Sequence, residues 1–283
     1  MNAVSSALTR GLALLYIALL VLIPVGGLLL KVADRPPALL WAAITNPVAV
    51  ATYQLTLVAA IAASGINCLF GLVLAWILER YAFAARRLAN ALVDLPFVMP
   101  AAVAGITLAV LYGPEGPLGP FLAPGTLLGG FLKALGLSEV RLAYSQAGVV
   151  LAMIFVTLPF AVRTLQPVIA QIEPETEEAA LSLGASPLQT FWRVLLPEIL
   201  PALLTSFALC FARGVGEYGA AVLISGNIPY ESLITSVYIY QRLEEYDYTG
   251  ATAVSLVLLV FSLAVLVGIN LLESWSRRAD ANR

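Results

Sequence analysis

The stretch 177–197, EEAALSLGASPLQTFWRVLLP, is a polar passage between two strongly apolar runs, and it predicts two short helices joined by a turn. Residues 175–183 are good helix formers, and Gly184 can adopt the positive φ that ends a helix. Ser186-Pro187 can begin the second helix. That helix would have an apolar face, because apolar residues recur at helical spacing at Leu188, Phe191, Trp192, Leu195 and Leu196. An ordinary helical loop between membrane spans is the plain alternative.

The composition is that of a membrane protein. Of the 283 residues, 60% are hydrophobic and 11% are charged, whereas soluble domains are about half apolar and about a quarter charged. Histidine is absent, and the two cysteines, Cys68 and Cys210, lie inside apolar runs. These features exclude imidazole catalysis, the usual zinc sites and a disulfide framework.

Six apolar runs approach the ~20 residues that span a bilayer, so we predict an all-α protein with six transmembrane helices. The runs are at about residues 12–30, 53–78, 89–112, 147–169, 199–224 and 251–272. The first run is longer than the apolar core of a secretory signal and has no convincing cleavage site after it, so we interpret it as a helix.

The distribution of Lys and Arg predicts the orientation. With the N-terminus inside, nine of these residues lie in inner segments and five in outer segments. The positive-inside rule then places both termini, and the stretch 177–197, in the cytoplasm. Residues 113–146 are expected to form a Gly/Pro-rich external loop with an amphipathic piece at 126–137.

An acid and two prolines interrupt the third run, at Asp94, Pro96 and Pro100. Proline removes a backbone donor and kinks a helix, so we predict a bent helix that faces the interior of the bundle. Because an isolated carboxylate in a membrane is costly, the favoured position for Asp94 is the cytoplasmic interface, close to Arg86 and Arg87.

The fifth run contains small residues in two patterns. Glycines 214, 216 and 219 spell GxGxxG, but no predicted strand precedes them, so a dinucleotide site is not supported. Small residues also recur every four positions, which predicts a strip that another helix can approach closely. That strip is Ala208, Ala212, Gly216 and Ala220.

Two opposite charges lie beside this strip. Arg213 and Glu217 are four residues apart, and we predict that they pair on one helix face, since pairing limits the cost of burying them. A purely structural pair is the favoured interpretation, and an Arg213 that lines the path of an anion is the alternative. The chain has no G-x-x-x-x-G-K-[ST] loop, because Val32 and Ala134 follow its two lysines.

The stretch 177–197 matches the pattern E-A-A, three residues, G, nine residues, I, one residue, L-P of ABC-importer permeases, with valine in place of isoleucine. The matching residues are Glu178, Ala179, Ala180, Gly184, Val194, Leu196 and Pro197. Over about residues 50–272 the chain resembles the permease subunits of type I ABC importers, and more closely the T/U-type sulfate/thiosulfate branch. The passages are VDLPFVMPAAVAGITLAVLYGPEGPLG (93–119), LPFAVRTLQPVI (158–169), FARGVGEYGAAVLISGNIP (211–229) and LEEYDYTGATAVSLV (243–257).

The resemblance implies a domain arrangement and a set of partners. Residues 1–49 would be an N-terminal helix and link, 50–272 the transmembrane domain with its docking loop at 173–197, and 273–283 a cytoplasmic tail. The loop would dock on a cytoplasmic ATPase dimer, with Gly184 as its turn and Glu178 as a polar contact. A second, homologous permease would complete the pore in the bacterial inner membrane. An extracytoplasmic binding protein would deliver sulfate or thiosulfate. No cofactor, metal, catalytic residue or nucleic acid is expected.

Three alternatives stay open. Permeases for molybdate or tungstate share much of this framework, and another oxyanion would fit it as well. An ion-coupled secondary transporter should show inverted repeats and membrane acids, of which only Asp94 and Glu217 qualify. A membrane enzyme would need a catalytic constellation that this chain does not supply.

Overall fold

The computed structural model describes residues 3–119, 126 and 142–281, and within these residues it contains helices and turns but no strand. The amphipathic piece expected at residues 126–137 therefore lies, apart from Thr126, outside the described residues. The helices in chain order are α1 (Ala3–Ile17), α2 (Ile23–Ala33), α3 (Pro37–Ile44), α4 (Pro47–Arg80), α5 (Arg86–Val98), α6 (Ala101–Tyr112), α7 (Gln146–Gln171), α8 (Pro174–Ser182), α9 (Pro187–Thr190), α10 (Leu196–Val215), α11 (Ala221–Ile224), α12 (Thr235–Glu244) and α13 (Tyr248–Ala281). Two π-helical segments, Ala18–Leu22 and Phe191–Leu195, continue α1 into α2 and α9 into α10.

Five helical stretches of the described chain are long and apolar enough to cross a membrane, and a bent pair of helices makes a sixth. The five are Arg10–Ala33, Pro47–Arg80, Gln146–Gln171, Pro187–Val215 and Tyr248–Gly268. The bent pair is α5 and α6. This confirms the predicted all-α architecture, with six spans when the pair counts as one.

The centre of the bundle is formed by α4, α7 and α10, which pack against one another. Small residues bring α4 and α7 close, since a Cβ atom on Gly71 would lie only 2.7 Å from that of Ala161. A buried amide joins the same helices: Asn67 Nδ2 donates to Thr157 Oγ1 at 2.7 Å and to the Ile154 carbonyl at 2.9 Å. In contrast, no residue of the most apolar window in the first span is buried, and α2 and α3 pack mainly along α13.

The predicted bend in the third run is confirmed, and it is a complete break. The axes of α5 and α6 differ by 112°, with Met99 in an extended conformation and Pro100 as the N-cap of α6. Beyond the break, α6 packs closely on the segment after α10: a Cβ atom on Gly105 would lie 2.4 Å from the Ala220 carbonyl oxygen. The second half of the bent helix therefore faces the interior of the chain.

The fifth run is not one helix, although the sequence predicts one over residues 199–224. Helix α10 ends at Val215, a turn follows at residues 216–220, and α11 begins at Ala221. The strip of small residues consequently does not form one face, because Ala212 and Gly216 are exposed whereas Ala208 and Ala220 are buried. A second set of small residues, shifted by two positions from the predicted strip, packs into the bundle. These are Ser206, Cys210 and Gly214.

Candidate functional site

The loop that carries the E-A-A pattern is a helix-turn-helix with a defined turn. Helix α8 ends in a Schellman motif, in which the Gly184 N–H donates to the Leu181 carbonyl at 2.9 Å and the Ala185 N–H to the Ala180 carbonyl at 3.1 Å. Gly184 has φ +86°, a conformation that costs residues with a side chain about 1–2 kcal/mol. The predicted role of Gly184 as a helix cap is confirmed.

The second helix of the loop begins with a capping box. Ser186 Oγ accepts from the Gln189 N–H at 3.3 Å, and Gln189 Oε1 accepts from the Ser186 N–H at 2.9 Å. Pro187 occupies the first helical position, where its missing N–H costs nothing. The two ends of the turn are thus fixed by local hydrogen bonds, which makes the loop a rigid element.

The apolar residues of the loop are divided between two surfaces. Leu195 is buried against the bundle, and the Phe191 ring packs edge-on against Trp76, with ring centroids 6.4 Å apart. Leu183 is 90% exposed, and Leu188 and Trp192 are also exposed. The single apolar face predicted from spacing is therefore wrong in part, because the π-helical segment rotates these positions apart. Exposed apolar side chains grouped in this way are typical of a protein contact surface.

The residues of the family pattern fall on the same loop. Glu178, Ala179, Gly184 and Pro197 are exposed, while Ala180, Val194 and Leu196 are half-buried. The carboxylate that turns toward the bundle is that of the preceding residue, Glu177, whose Oε1 lies 3.0 Å from Arg80 Nη2.

Arg80 joins three elements at the end of the bundle that carries the loop, the end predicted to face the cytoplasm. Besides pairing with Glu177 of α8, its Nη2 donates to the Ile172 carbonyl at the end of α7, at 3.0 Å. Its guanidinium lies over the Trp76 ring at 5.3 Å, a distance that allows a cation–π contact. From the sequence, Arg80 is only one of the nine basic residues that the positive-inside rule assigns to inner segments. A cavity of about 450 Å³, lined mainly by apolar residues, lies between the end of α4 and the loop.

A polar network lies beside Arg80, and we call it the inner polar cluster. It consists of Glu79, Arg86, Asn90, Asp94, Arg163 and Gln166. Arg163 Nε donates to Asp94 Oδ1 at 2.8 Å, and its Nη2 donates to Asp94 Oδ2 and, at 3.2 Å, to the Asn90 carbonyl. Its Nη1 donates to Asn90 Oδ1 at 3.1 Å and to Gln166 Oε1 at 2.5 Å. All five N–H groups of a guanidinium are thereby used.

The expected neighbours of Asp94 are wrong. Arg86 pairs with Glu79, at 3.1 Å between Nη2 and Oε2, and Asp94 pairs with Arg163. Asp94 is eight residues beyond Arg86 on α5, about 12 Å along the helix axis, so the two side chains cannot meet. The sequence carries one signal for this pair. Arg163 lies inside the fourth apolar run, and a charge at that depth favours pairing with an acid on another helix.

The predicted pair of Arg213 and Glu217 is confirmed, with 2.7 Å between Nη1 and Oε2. It does not form on a helix face, because Glu217 lies in the turn after α10. Its side chain is 1% exposed; Oε1 accepts from the Ala220 N–H at 2.8 Å, and its carbonyl accepts from Ser236 Oγ at 2.5 Å. The Arg213 side chain is 37% exposed, and within the described part of the chain Glu217 is its one polar partner.

Residues 225–250, which we call the outer segment because the predicted orientation puts them outside, carry four acids and one arginine. The rings of Tyr218 and Tyr240 lie 5.4 Å apart, and a hydrogen bond with the Glu244 carboxylate raises the pKa of the Tyr240 phenol. This phenol therefore stays neutral at physiological pH, and the acids determine the charge of the surface.

Residues 68–278 match the family model described as "Binding-protein-dependent transport system inner membrane component". The sulfate transport system permease protein CysT of Synechococcus elongatus is 47% identical over 263 residues, which cover 93% of this chain and 90% of that protein. The protein of the same name from Escherichia coli is 44% identical over 267 residues, which cover 94% of this chain and 92% of that protein.

Solved structures give the same architecture. A chain of a bacterial ABC transporter involved in the import of alginate superposes with a TM-score of 0.68 at 20% identity, covering 96% of this chain and 95% of that chain. A chain of the MetNI methionine ABC transporter superposes with a TM-score of 0.54 at 18% identity, covering 85% and 98%. At these identities the likeness shows the fold, which is that of an ABC importer permease.

Proposed function

Because the chain belongs to the family of binding-protein-dependent transport system inner membrane components, we propose that it is the permease subunit of an ABC importer that carries sulfate into the cell. The observation that carries this proposal is the identity of 44–47% with sulfate permeases over more than nine-tenths of the chain. The chain is a transport component, and ATP is hydrolysed by a separate subunit.

The docking loop supports the proposed contact with a cytoplasmic ATPase dimer. Its turn is rigid, and the side chains of Leu183, Leu188 and Trp192 are exposed on its surface. Exposed apolar side chains of this kind are typical of a loop that binds another protein. Glu178 is exposed on the same loop and is available as a polar contact, while Glu177 holds the loop to α4. The loop therefore has one side for the partner and one side for the bundle.

The Arg213–Glu217 pair supports a contact with the passing anion. Glu217 is the buried, structural half, since its Oε1 accepts from the Ala220 N–H and its Oε2 lies 2.7 Å from Arg213 Nη1. Arg213 keeps N–H groups that no described residue accepts, and the neighbouring Ala212 and Gly216 are exposed and leave room beside it. A single arginine with open donors gives a weak anion contact, and a transport path requires weak contacts because the anion has to leave again.

The outer segment supports delivery by a binding protein. A surface with four acids and one arginine repels free sulfate, so the anion has to arrive already bound to a carrier that covers this charge. A second, homologous permease would face the exposed apolar side chains of α5 and α6, among them Leu92, Val98 and Ile106. In this proposal both termini lie in the cytoplasm of a bacterial cell, and the complex lies in its inner membrane.

Uptake of radiolabelled oxyanions in a strain that lacks this chain tests the proposal. The wild-type chain should restore sulfate uptake, and unlabelled thiosulfate or molybdate in excess should show which other oxyanions share the path. Restoration of molybdate uptake without sulfate uptake would contradict the proposed substrate. Leu183→Asp should abolish uptake by breaking the ATPase contact, whereas the matched change Leu183→Met should leave it intact.

A further inference from the structure

We infer that the inner polar cluster is the mechanical link between the docking loop and the broken helix α5–α6, with Arg163 as the positioning residue that sets the position of α5. This inference rests on the proposed function, since it takes the loop to be where the ATPase acts. It assigns to Arg163, Asp94, Asn90 and Gln166 a role in converting movement of the loop into movement of the pore.

Helix α5 is held to the chain mainly by this cluster. The only buried side chain that α5 contributes is Val93, and on its other side Leu88, Leu92 and Val98 are exposed. One aromatic contact adds to the attachment, where the rings of Phe97 and Phe160 meet edge-on at 5.0 Å. Within this chain the polar contacts therefore set the position of α5 relative to α7, while the exposed side of α5 is left for the second permease.

The contacts of Arg163 define one geometry. Its guanidinium is planar and rigid, and it engages the Asp94 carboxylate with two nitrogens while it also binds the side chain and the carbonyl of Asn90. These acceptors lie on two turns of α5. The helix can therefore neither rotate nor slide relative to α7 without breaking several charge-assisted hydrogen bonds together, so the two helices move as one unit.

A continuous set of contacts leads from the cluster to the docking loop. Gln166 Nε2 donates to Glu79 Oε1 at 2.8 Å, and Glu79 is followed directly by Arg80. Arg80 in turn binds Glu177 of α8 and the carbonyl at Ile172. A displacement of α8 would therefore move the end of α4 and, through Glu79, the inner polar cluster.

The helices that the cluster joins are both weakened close to it. In α7, Pro159 and Pro167 lie four residues before and after Arg163, and Pro167 leaves the Arg163 carbonyl without its helical donor. In α5, Pro96 follows Asp94 by two residues, and the break at Met99 follows by five. Because the contacts of the cluster are rigid, bending of the two helices is expected at the prolines and at the break. Movement at the break would be passed on to α6, which follows it.

The same contacts exclude an anion site at Arg163. A sulfate ion needs N–H donors, and every donor of this guanidinium already has a protein acceptor. Arg163 is therefore a positioning residue. This distinguishes it from Arg213, whose donors are open.

The test uses the whole transporter, purified with its ATPase and reconstituted in liposomes, and compares Asp94→Asn and Arg163→Lys with wild type. Each change keeps a polar group of similar size but removes the bidentate charge pair. We expect both variants to retain the ATPase subunit and to hydrolyse ATP, while the sulfate carried per ATP falls about tenfold, the effect of losing one charge-assisted hydrogen bond. Arg35→Lys is the matched control, since it makes the same substitution as Arg163→Lys at an exposed arginine between α2 and α3, outside the cluster.

A distance measurement distinguishes the loss of the link between loop and α5 from a general loss of stability. Spin labels at positions 73 on α4 and 87 on α5, both exposed in the wild type, should report a change in distance when ATP is trapped, and Asp94→Asn should abolish that change. An unchanged ratio of sulfate to ATP, or a distance that still responds to ATP in Asp94→Asn, would overturn the inference. Loss of the ATPase subunit from this variant would also overturn it, because the cluster does not form the docking surface. Failure of the proposed function would differ, since the wild-type complex itself would then carry no sulfate.

Discussion

Two of the arginines that pair with carboxylates, Arg163 and Arg213, differ in how many of their donors the protein uses. We call their positions the inner and the outer end of the bundle, after the proposed orientation. Arg163, at the inner end, has an acceptor for each of its five N–H groups. Arg213, at the outer end, has Glu217 as its one polar partner among the described residues. The exposure of the two arginines is nearly equal, at 36% and 37%.

The difference lies in the acids. Asp94 is 41% exposed, whereas Glu217 is 1% exposed. At the inner end the arginine is the fixed centre and several groups on other helices surround it. At the outer end the acid, Glu217, is buried and held by the protein, and Arg213 contacts it from a partly exposed position. The number of free donors, rather than the presence of an arginine in a membrane, therefore distinguishes an anion contact from a structural clamp.

Removal of the charge on each arginine should show this difference most strongly. Arg213→Met leaves Glu217 as an uncompensated buried charge, and we expect a destabilisation of about 3–5 kcal/mol and a large loss of assembled complex. Arg163→Met leaves Asp94, which water can reach, so the loss of complex should be much smaller. The yield of purified complex and its unfolding temperature measure both. If the Arg213→Met complex were as abundant as wild type, Glu217 would not depend on Arg213 for its burial, and the proposed difference between the two pairs would be wrong.

A change in the docking loop should affect the inner end alone. Gly184→Val places a β-branched residue at φ +86°, which costs about 1–3 kcal/mol and misdirects the second docking helix. The permease should insert normally but lose the ATPase subunit during purification and lose uptake. Gly184→Asn is the control, because asparagine tolerates this conformation. Normal uptake by the valine variant would refute the role of the turn.

A weaker contact at the inner end should have a graded effect. Glu177→Gln removes the charge from an ion pair whose side chains are 31% and 18% exposed, and such pairs contribute about 0.2–1 kcal/mol. We expect a reduction of a few-fold at most in sulfate carried per ATP, measured in liposomes. A loss as complete as that of Gly184→Val would show that Arg80 and Glu177 transmit the whole movement.

The assignment of inner and outer ends can be checked without disturbing function. Single cysteines at positions 185 and 230, introduced into a variant without the two native cysteines, should leave uptake unchanged. A membrane-impermeant thiol reagent added to whole spheroplasts should label position 230 and not position 185. The opposite labelling would invert the orientation and exchange the roles of the two ends.

Sequence alone predicted the features that depend on neighbouring residues. The cap at Gly184, the helix start at Ser186 and the pair of Arg213 with Glu217 all connect residues within a few positions. The Arg163–Asp94 pair joins residues 69 positions apart, and spacing within one sequence carries no information about such contacts. The end of α10 at Val215 was missed for a different reason. In an apolar run, Gly216 is equally consistent with close helix packing and with a turn, and the acceptor that caps α11 comes from Glu217.

The division between the two ends is tested most directly by the double variant Arg213→Met/Glu217→Gln. It removes both charges of the pair, and glutamine can still accept the Ala220 N–H. Sulfate uptake and ATP hydrolysis would be measured on the same liposomes containing the complete transporter and its binding protein. We predict that the double variant assembles and hydrolyses ATP like wild type but carries little sulfate, because the open arginine is lost. Sulfate uptake at the wild-type rate would show that Arg213 is not in the path and would contradict the account.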